Sequence, residues 1–253
     1  MYELPPPTQG LAAAAMLVRL GAGWDFREAR DAAYGLRDRY ITDPDFSPAP
    51  VEPFLDPAQA SVGPADARDG GDTVYLCAAD EHGNVVSLIQ SIAYDFGSGV
   101  VAEGTGILLQ NRGAYFSLDD ARVNRLEPRK RTMHALIPAL AARDGRAAIA
   151  FGCMGGDLQP QIQAQIFRHI VDGGLDPAEA VARPRMAILR DGTTAVEADY
   201  PGAGPMARTG RDVLLMPAKH HSFGHAHAIV IDGPGRWRAG ADPRSDGSVE
   251  FAR

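Results

Sequence analysis

Apolar and polar positions recur along this chain in two rhythms, one helical and one of strands. Residues 8–20, TQGLAAAAMLVRL, predict a helix: Thr8 stands where a cap belongs, alanine favours helix, and Gly21 and Gly23 end it. Residues 25–40, DFREARDAAYGLRDRY, predict a second, capped by Asp25 and stopped at Asp43-Pro44. A third is expected over 160–172, with proline first and Ile162, Ile166, Phe167, Ile170 and Val171 on one face. A fourth, short helix is expected over 176–184 behind Asp176. The segments TVYLCAAD, VVSLIQS, GILLQN, HALIPALAARDGRAAIAFG and HAHAIVIDGPGRWRAGA predict strands, with EHGN, RDGR and DGPGR as turns.

Residues 42–72 interrupt this pattern. They are rich in Pro, Asp, Ala and Gly and end in ARDGGD, which predicts an exposed, mobile loop open to cleavage. Hairpins, then helices, then hairpins make the fold class α+β with antiparallel sheet.

Composition narrows the function. The chain has 253 residues, 45% of them hydrophobic and 23% charged, as in ordinary globular proteins. A net charge of −7 argues against nucleic acid or an anionic membrane as partner. No apolar run is long enough to span a bilayer, and the N-terminus lacks the basic and apolar regions of a signal peptide. Cys77 and Cys153 lie far apart in apolar runs and read as buried thiols in a reducing compartment.

Thr73 is the first candidate for chemistry. A threonine hydroxyl attacks a carbonyl only when a base takes its proton, and one such base is the residue's own α-amine, freed by cleavage just before it. Thr73 stands at the start of a strand, after a glycine-rich acidic loop, and meets those preconditions; equally, threonine often starts strands for propensity alone. Gly155-Gly156, between a strand and a helix, suit an oxyanion hole, although a plain turn gives the same pattern. FGSGVVA (96–102) is followed by EGTG instead of a helix, so it is no dinucleotide site. His225 and His227 alternate and could share a face, yet no Cys or carboxylate stands at ligand spacing, so no metal is expected. His134, alone in an apolar run, reads as a hydrogen-bonded wall residue.

In their order, the blocks YELPPPTQGL (2–11), LRDRYITDP (36–44), GDTVYLCAADEHGNVVS (71–87), FGSGVVAEGTGILLQN (96–111), GGDLQPQ (155–161), DPAEAVARPRM (176–186) and ADPRSDG (241–247) resemble the gamma-glutamyltransferase family of N-terminal-nucleophile hydrolases. The resemblance implies an αββα sandwich without its N-terminal part. Residues 1–72 would be the end of a large subunit and 73–253 a whole small subunit. It makes Thr73 the nucleophile after self-cleavage behind Asp72, Gly155 and Gly156 the oxyanion glycines, and Ser91 the partner of Thr73. It implies no cofactor, and a γ-glutamyl or related small acyl amide as substrate with water or an amine as acceptor. It leaves an oligomer open; the family is often exported, while this chain, with reduced thiols and no signal peptide of its own, is expected in the cytoplasm over the periplasm or exterior.

The chain departs from the family where a γ-glutamyl group would be held. His134 and Ala135 stand in place of two serines, and Ala93, Arg112 and Tyr115 in place of Asn, Gln and Asp. An ammonium group has lost its carboxylate there and gained a cation, Arg112, as neighbour. The substitutions resemble the acylase-like branch of the family, whose substrates include glutaryl amides. An inert fragment needing the absent region is the alternative to an enzyme.

Overall fold

A computed structural model describes residues 1–59, 73–209 and 212–251. The whole ARDGGD loop, Asp72 included, lies outside the described residues. Helix α1 spans Gly10–Gly21, α2 Phe26–Tyr40 and the short α3 Glu52–Leu55. Strands β1 (Thr73–Ala79) and β2 (Val85–Ser91) form a hairpin. Next come β3 (Ala139–Arg143), β4 (Arg146–Cys153), α4 (Gln159–Val171) and α5 (Pro177–Ala182). Strands β5 (Met186–Ile188) and β6 (Thr194–Glu197), helix α6 (Ala203–Thr209) and strand β7 (Val213–Met216) follow, and β8 (Ala226–Gly233) and β9 (Arg236–Ala241) close the chain.

Strands β3-β4-β8-β9 make one antiparallel sheet. The β1-β2 hairpin faces β4 and β8, and α4 and α5 cover the other side of the larger sheet. Helix, sheet and facing sheet are three layers of the expected αββα sandwich. The core between α4 and the sheet is built from Phe151, Cys153, Ile162, Ile166, Ile170, Ala226 and Ala228. Each fully buried isoleucine there contributes about 1.5–3 kcal/mol. Helix α2 starts where Asp25 accepts the Arg27 and Glu28 amides, and α5 where Asp176 accepts the Ala178 amide.

Several expectations need correction. Thr8 does not cap α1 by position: Gln9 does, without a side-chain bond, while Thr8 Oγ1 accepts the Gly10 amide at 3.2 Å. GILLQN forms no strand; it only bridges Leu108 to Val101. HALIP is likewise outside β3 and touches Thr8 through an isolated bridge. Residues 42–59 are not all exposed, since Phe54 is fully buried under α1 and α2, where Arg19 holds its carbonyl. Val171 at the end of α4 points outward, and Cys77 is only half-buried. The sheet β5-β6-β7 went unpredicted, and its β6-β7 pair is parallel.

Candidate active site

Thr73 is the first residue of β1 and is buried. The hairpin register sets it directly opposite Ser91, the last residue of β2. Alternation along β1 turns Thr73 and Tyr75 inward and leaves Val74 and Leu76 outside. After Ser91 the chain turns sharply through Ala93, held at φ 79, a left-handed conformation that alanine adopts only under constraint. The constraint is a bond from the Ala93 amide to Ser91 Oγ at 2.9 Å.

The oxyanion candidates come from the far end of β4. Gly155 (φ 154) and Gly156 (φ 51) both occupy backbone regions that favour glycine. A Cβ on Gly155 would lie 2.7 Å from Ile162 Cδ1. From below, Gln9 Nε2 donates to Gly156 O at 3.0 Å and to Ala135 O at 3.3 Å. Gln9 Oε1 accepts from Arg37 at 3.0 Å, and Arg37 lies 3.4 Å from Asp157. Tyr34 donates its hydroxyl to Asp157 O. Arg37 and Gln9 are wholly buried. Helices α1 and α2, upstream of Thr73, thus hold the glycine turn in place.

A narrow crevice joins these parts. Its walls are Thr73, Ser91, Ala93, Arg112, Tyr115, Ala135, Leu136, Gly156 and Gln159. Five of the predicted site residues therefore meet: Thr73, Ser91, Arg112, Tyr115 and Gly156. Gly155 sits beside them without lining the crevice. His134 does not line it either: its amide donates to Pro7 O at 3.0 Å and its Nδ1 accepts the Leu136 amide. Burial first, and then the Arg112 charge, lower its pKa to about 4, so it is neutral at pH 7. Tyr115 is buried and pushed up to about 12, chiefly by desolvation and then by Asp157, which keeps its phenol protonated.

Arg112 Nη2 donates to Ser91 O at 2.6 Å. Desolvation lowers its pKa somewhat, but a guanidinium remains charged. No carboxylate of the described residues pairs with it. A partly desolvated cation in a crevice, lacking an anion, is a recognition element for an anionic ligand.

Sequence reasoning missed Gln9, Arg37 and Gln159. The signal for Arg37 was present, as an arginine on the face of α2 that also buries Tyr34 and Leu36. The ADPRSDG block proves structural. Asp242 accepts from Arg185 at 2.6 Å and Arg244 at 3.0 Å, and Arg244 also meets Glu197, all nearly or fully buried. Arg185 in turn holds the carbonyls of Phe223 and Gly224 at 2.9 Å. His225 O then accepts the Met154 amide at 2.8 Å, so this ion cluster buttresses the strand that leads into Gly155. His227 stacks on Tyr75 between the sheets, and no three potential metal ligands cluster among the described residues. No helix among them is long and apolar enough to cross a membrane.

Comparison with known proteins agrees with this fold. The family model for gamma-glutamyltranspeptidase matches residues 1–252. The chain is 37% identical to the glutathione hydrolase-like YwrD proenzyme of Bacillus subtilis, over 98% of this chain and 53% of that protein. It is 36% identical to the oxamate amidohydrolase proenzyme of Klebsiella pneumoniae, over 98% and 53%. The crystal structure of cephalosporin acylase from Bacillus halodurans superposes with a TM-score of 0.84 at 35% identity, over 98% of this chain and 50% of that one. A gamma-glutamyltranspeptidase chain from Pseudomonas nitroreducens is 26% identical, with a TM-score of 0.62, over 71% of this chain and 99% of that one. The chain spans about half the length of the curated relatives it matches.

Proposed function

The chain belongs to the gamma-glutamyltranspeptidase family, and we propose that it is the catalytic half of a self-cleaving amidohydrolase or acyltransferase. Cleavage between Asp72 and Thr73 frees the Thr73 amine. That amine takes the proton of the Thr73 hydroxyl as its oxygen attacks the scissile amide carbonyl. The Gly155–Gly156 turn offers backbone N–H groups to the oxyanion, and Ser91 holds Thr73 in place. Collapse expels the amine with the proton, leaving an ester on Thr73. Water or an acceptor amine then attacks that ester and restores the hydroxyl.

One observation carries the reading: Thr73 begins its strand inside a crevice that it shares with Ser91, Arg112 and Gly156. The 71% share matched by the Pseudomonas nitroreducens chain, of which 99% is covered, is close to the share made up by residues 73–253, 181 of 253, which supports a boundary near Thr73. An upstream region as partner is supported by the outer face of the β1-β2 hairpin, where Val74, Leu76, Val86 and Leu88 are all exposed. The test is the intact mass of the purified chain during incubation, beside Thr73→Ala. Splitting at Asp72–Thr73 that the variant abolishes supports the proposal. No splitting, alone or with the upstream half supplied, refutes it.

As for the acyl donor, Arg112 favours a carboxylate-bearing acyl group over a zwitterionic γ-glutamyl head. The name of one relative, oxamate amidohydrolase, fits that choice, since oxamate is the amide of a short dicarboxylic acid. A panel of anilides tests it: preference for γ-glutamyl over glutaryl rejects this donor class.

A further inference from the structure

Gln159 is the first residue of α4 and follows the Gly155–Gly156 turn by three positions. It is fully buried, yet neither its Nε2 nor its Oε1 has a hydrogen-bond partner among the described residues. The other buried glutamines of this helix each make at least one side-chain bond, although Gln163 Oε1 also lacks a partner among the described residues. Gln161 donates to Ile188 O and accepts the Ile188 amide, and Gln163 donates to Ile137 O. Leaving a buried carboxamide unpaired costs about 1–3 kcal/mol for each group left dry. Gln159 lines the crevice between Thr73 and Gly156, where a bound acyl donor would lie. Its carboxamide carries both donor and acceptor capacity, in a wall that also holds the cation Arg112, the hydroxyls of Thr73, Ser91 and Tyr115, and apolar Ala93, Ala135 and Leu136.

On the reading of Thr73 above, we infer that Gln159 determines substrate specificity by pairing with the donor through both amide atoms. Oε1 accepts the N–H of the scissile amide and Nε2 donates to the acyl carboxylate, which it shares with Arg112. The substrate class is then amides of short dicarboxylic acids that carry a free N–H at the scissile bond. Esters of the same acids lack that N–H and cannot use Oε1. A site built to bond a hydrogen-bonding group discriminates strongly against an analogue without it, because its own polar atom is left unpaired.

The test compares glutaryl anilide with glutaryl phenyl ester on the same enzyme sample, for the wild-type chain, Gln159→Met and Gln159→Glu. The ratio of kcat/KM, amide over ester, cancels any difference in the amount of folded or processed enzyme. Gln159→Met is expected to lower that ratio about tenfold, the effect of one lost hydrogen bond of about 1.4 kcal/mol. Gln159→Glu keeps the acceptor and so keeps the ratio, but it sets an anion beside the acyl carboxylate and lowers both rates. A ratio unchanged in Gln159→Met, or lowered equally in Gln159→Glu, overturns the inference while the role of Thr73 stands. No mass change and no turnover in the wild-type chain, alone or with the upstream half supplied, overturns the proposed function and this inference with it.

Discussion

Replacing Gly224 by alanine should disable the site from a distance. Gly224 sits at φ 77 on the loop before β8, where any L-residue with a side chain is strained by about 1–2 kcal/mol. The added Cβ would stand 2.3 Å from Met154 O and 2.6 Å from Ile162 Cδ1. The isoleucine methyl can rotate away, but the Met154 carbonyl belongs to the backbone that leads directly into Gly155. Relieving that overlap needs a shift of about 1 Å, and a displacement of that size at a catalytic group costs on the order of a hundredfold in rate. Gly145 supplies the control. It occupies the tight β3-β4 turn at φ 76 with nothing within 4 Å of its would-be Cβ. Gly145→Ala therefore feels the backbone strain alone, a loss of about 2–8 °C in melting temperature for a domain of this size. Gly224→Ala should melt lower still and cleave itself at Asp72–Thr73 at least tenfold more slowly, followed by intact mass. Equal melting losses in the two variants, with self-cleavage undiminished in Gly224→Ala, would refute the idea that this loop fixes the oxyanion turn.

Two further outcomes follow from buried charge. Arg37→Met removes the cation that pairs with Asp38 at 2.7 Å and faces Asp157 and Gln9 inside the protein, and breaking a buried ion pair by removing one partner costs about 3–5 kcal/mol, read by urea denaturation. A loss under 1 kcal/mol would show that Asp157 finds another partner and that the α2 clamp is dispensable. His134 gives a pH dependence. Its folded pKa of about 4 lies below the ordinary value of 6.5, so the unfolded chain takes up the proton first as pH falls. Stability from this group is complete above 6.5 and is lost progressively down to about 4, by on the order of 2–3 kcal/mol. His134→Asn should flatten that part of the profile, and an unchanged slope would place the proton uptake elsewhere.

Much of this site was legible from residue order because it depends on local rules. Asp25 and Asp176 declared their helices through side-chain caps, and Asp144-Gly145 declared its hairpin through positive φ at both positions. Thr73, Ser91 and the Gly155–Gly156 turn became specific only when seven separated blocks were taken in order, since each alone fits an ordinary strand or turn. What stayed hidden has partners remote in sequence. Gln9 reaches Gly156 across 147 positions, and Arg185 reaches Asp242 across 57. No spacing rule links such residues, because packing of whole elements brings them together. The small sheet β5-β6-β7 was hidden for a different reason, as three- and four-residue strands are too short for a period to show.

The hidden contacts share one direction, and that suggests how the site works as a unit. Gln9, Tyr34 and Arg37 come from the segment before Thr73, while Arg185, Glu197, Asp242 and Arg244 come from after it. Both sets converge on the backbone between Met154 and Asp157 from opposite sides. Cleavage at Asp72–Thr73 would sever the covalent link between them yet leave every one of these bonds intact, since none is made by Asp72 or Thr73. A turn clamped from both sides can present its amides to a developing oxyanion with no reorganisation at the moment of reaction, which is where electrostatic stabilisation is most effective. On the mechanism proposed above, the segment upstream of Thr73 would be part of the catalytic apparatus, and proteolytic removal of residues 1–59 from the cleaved protein should abolish turnover even with Thr73 free.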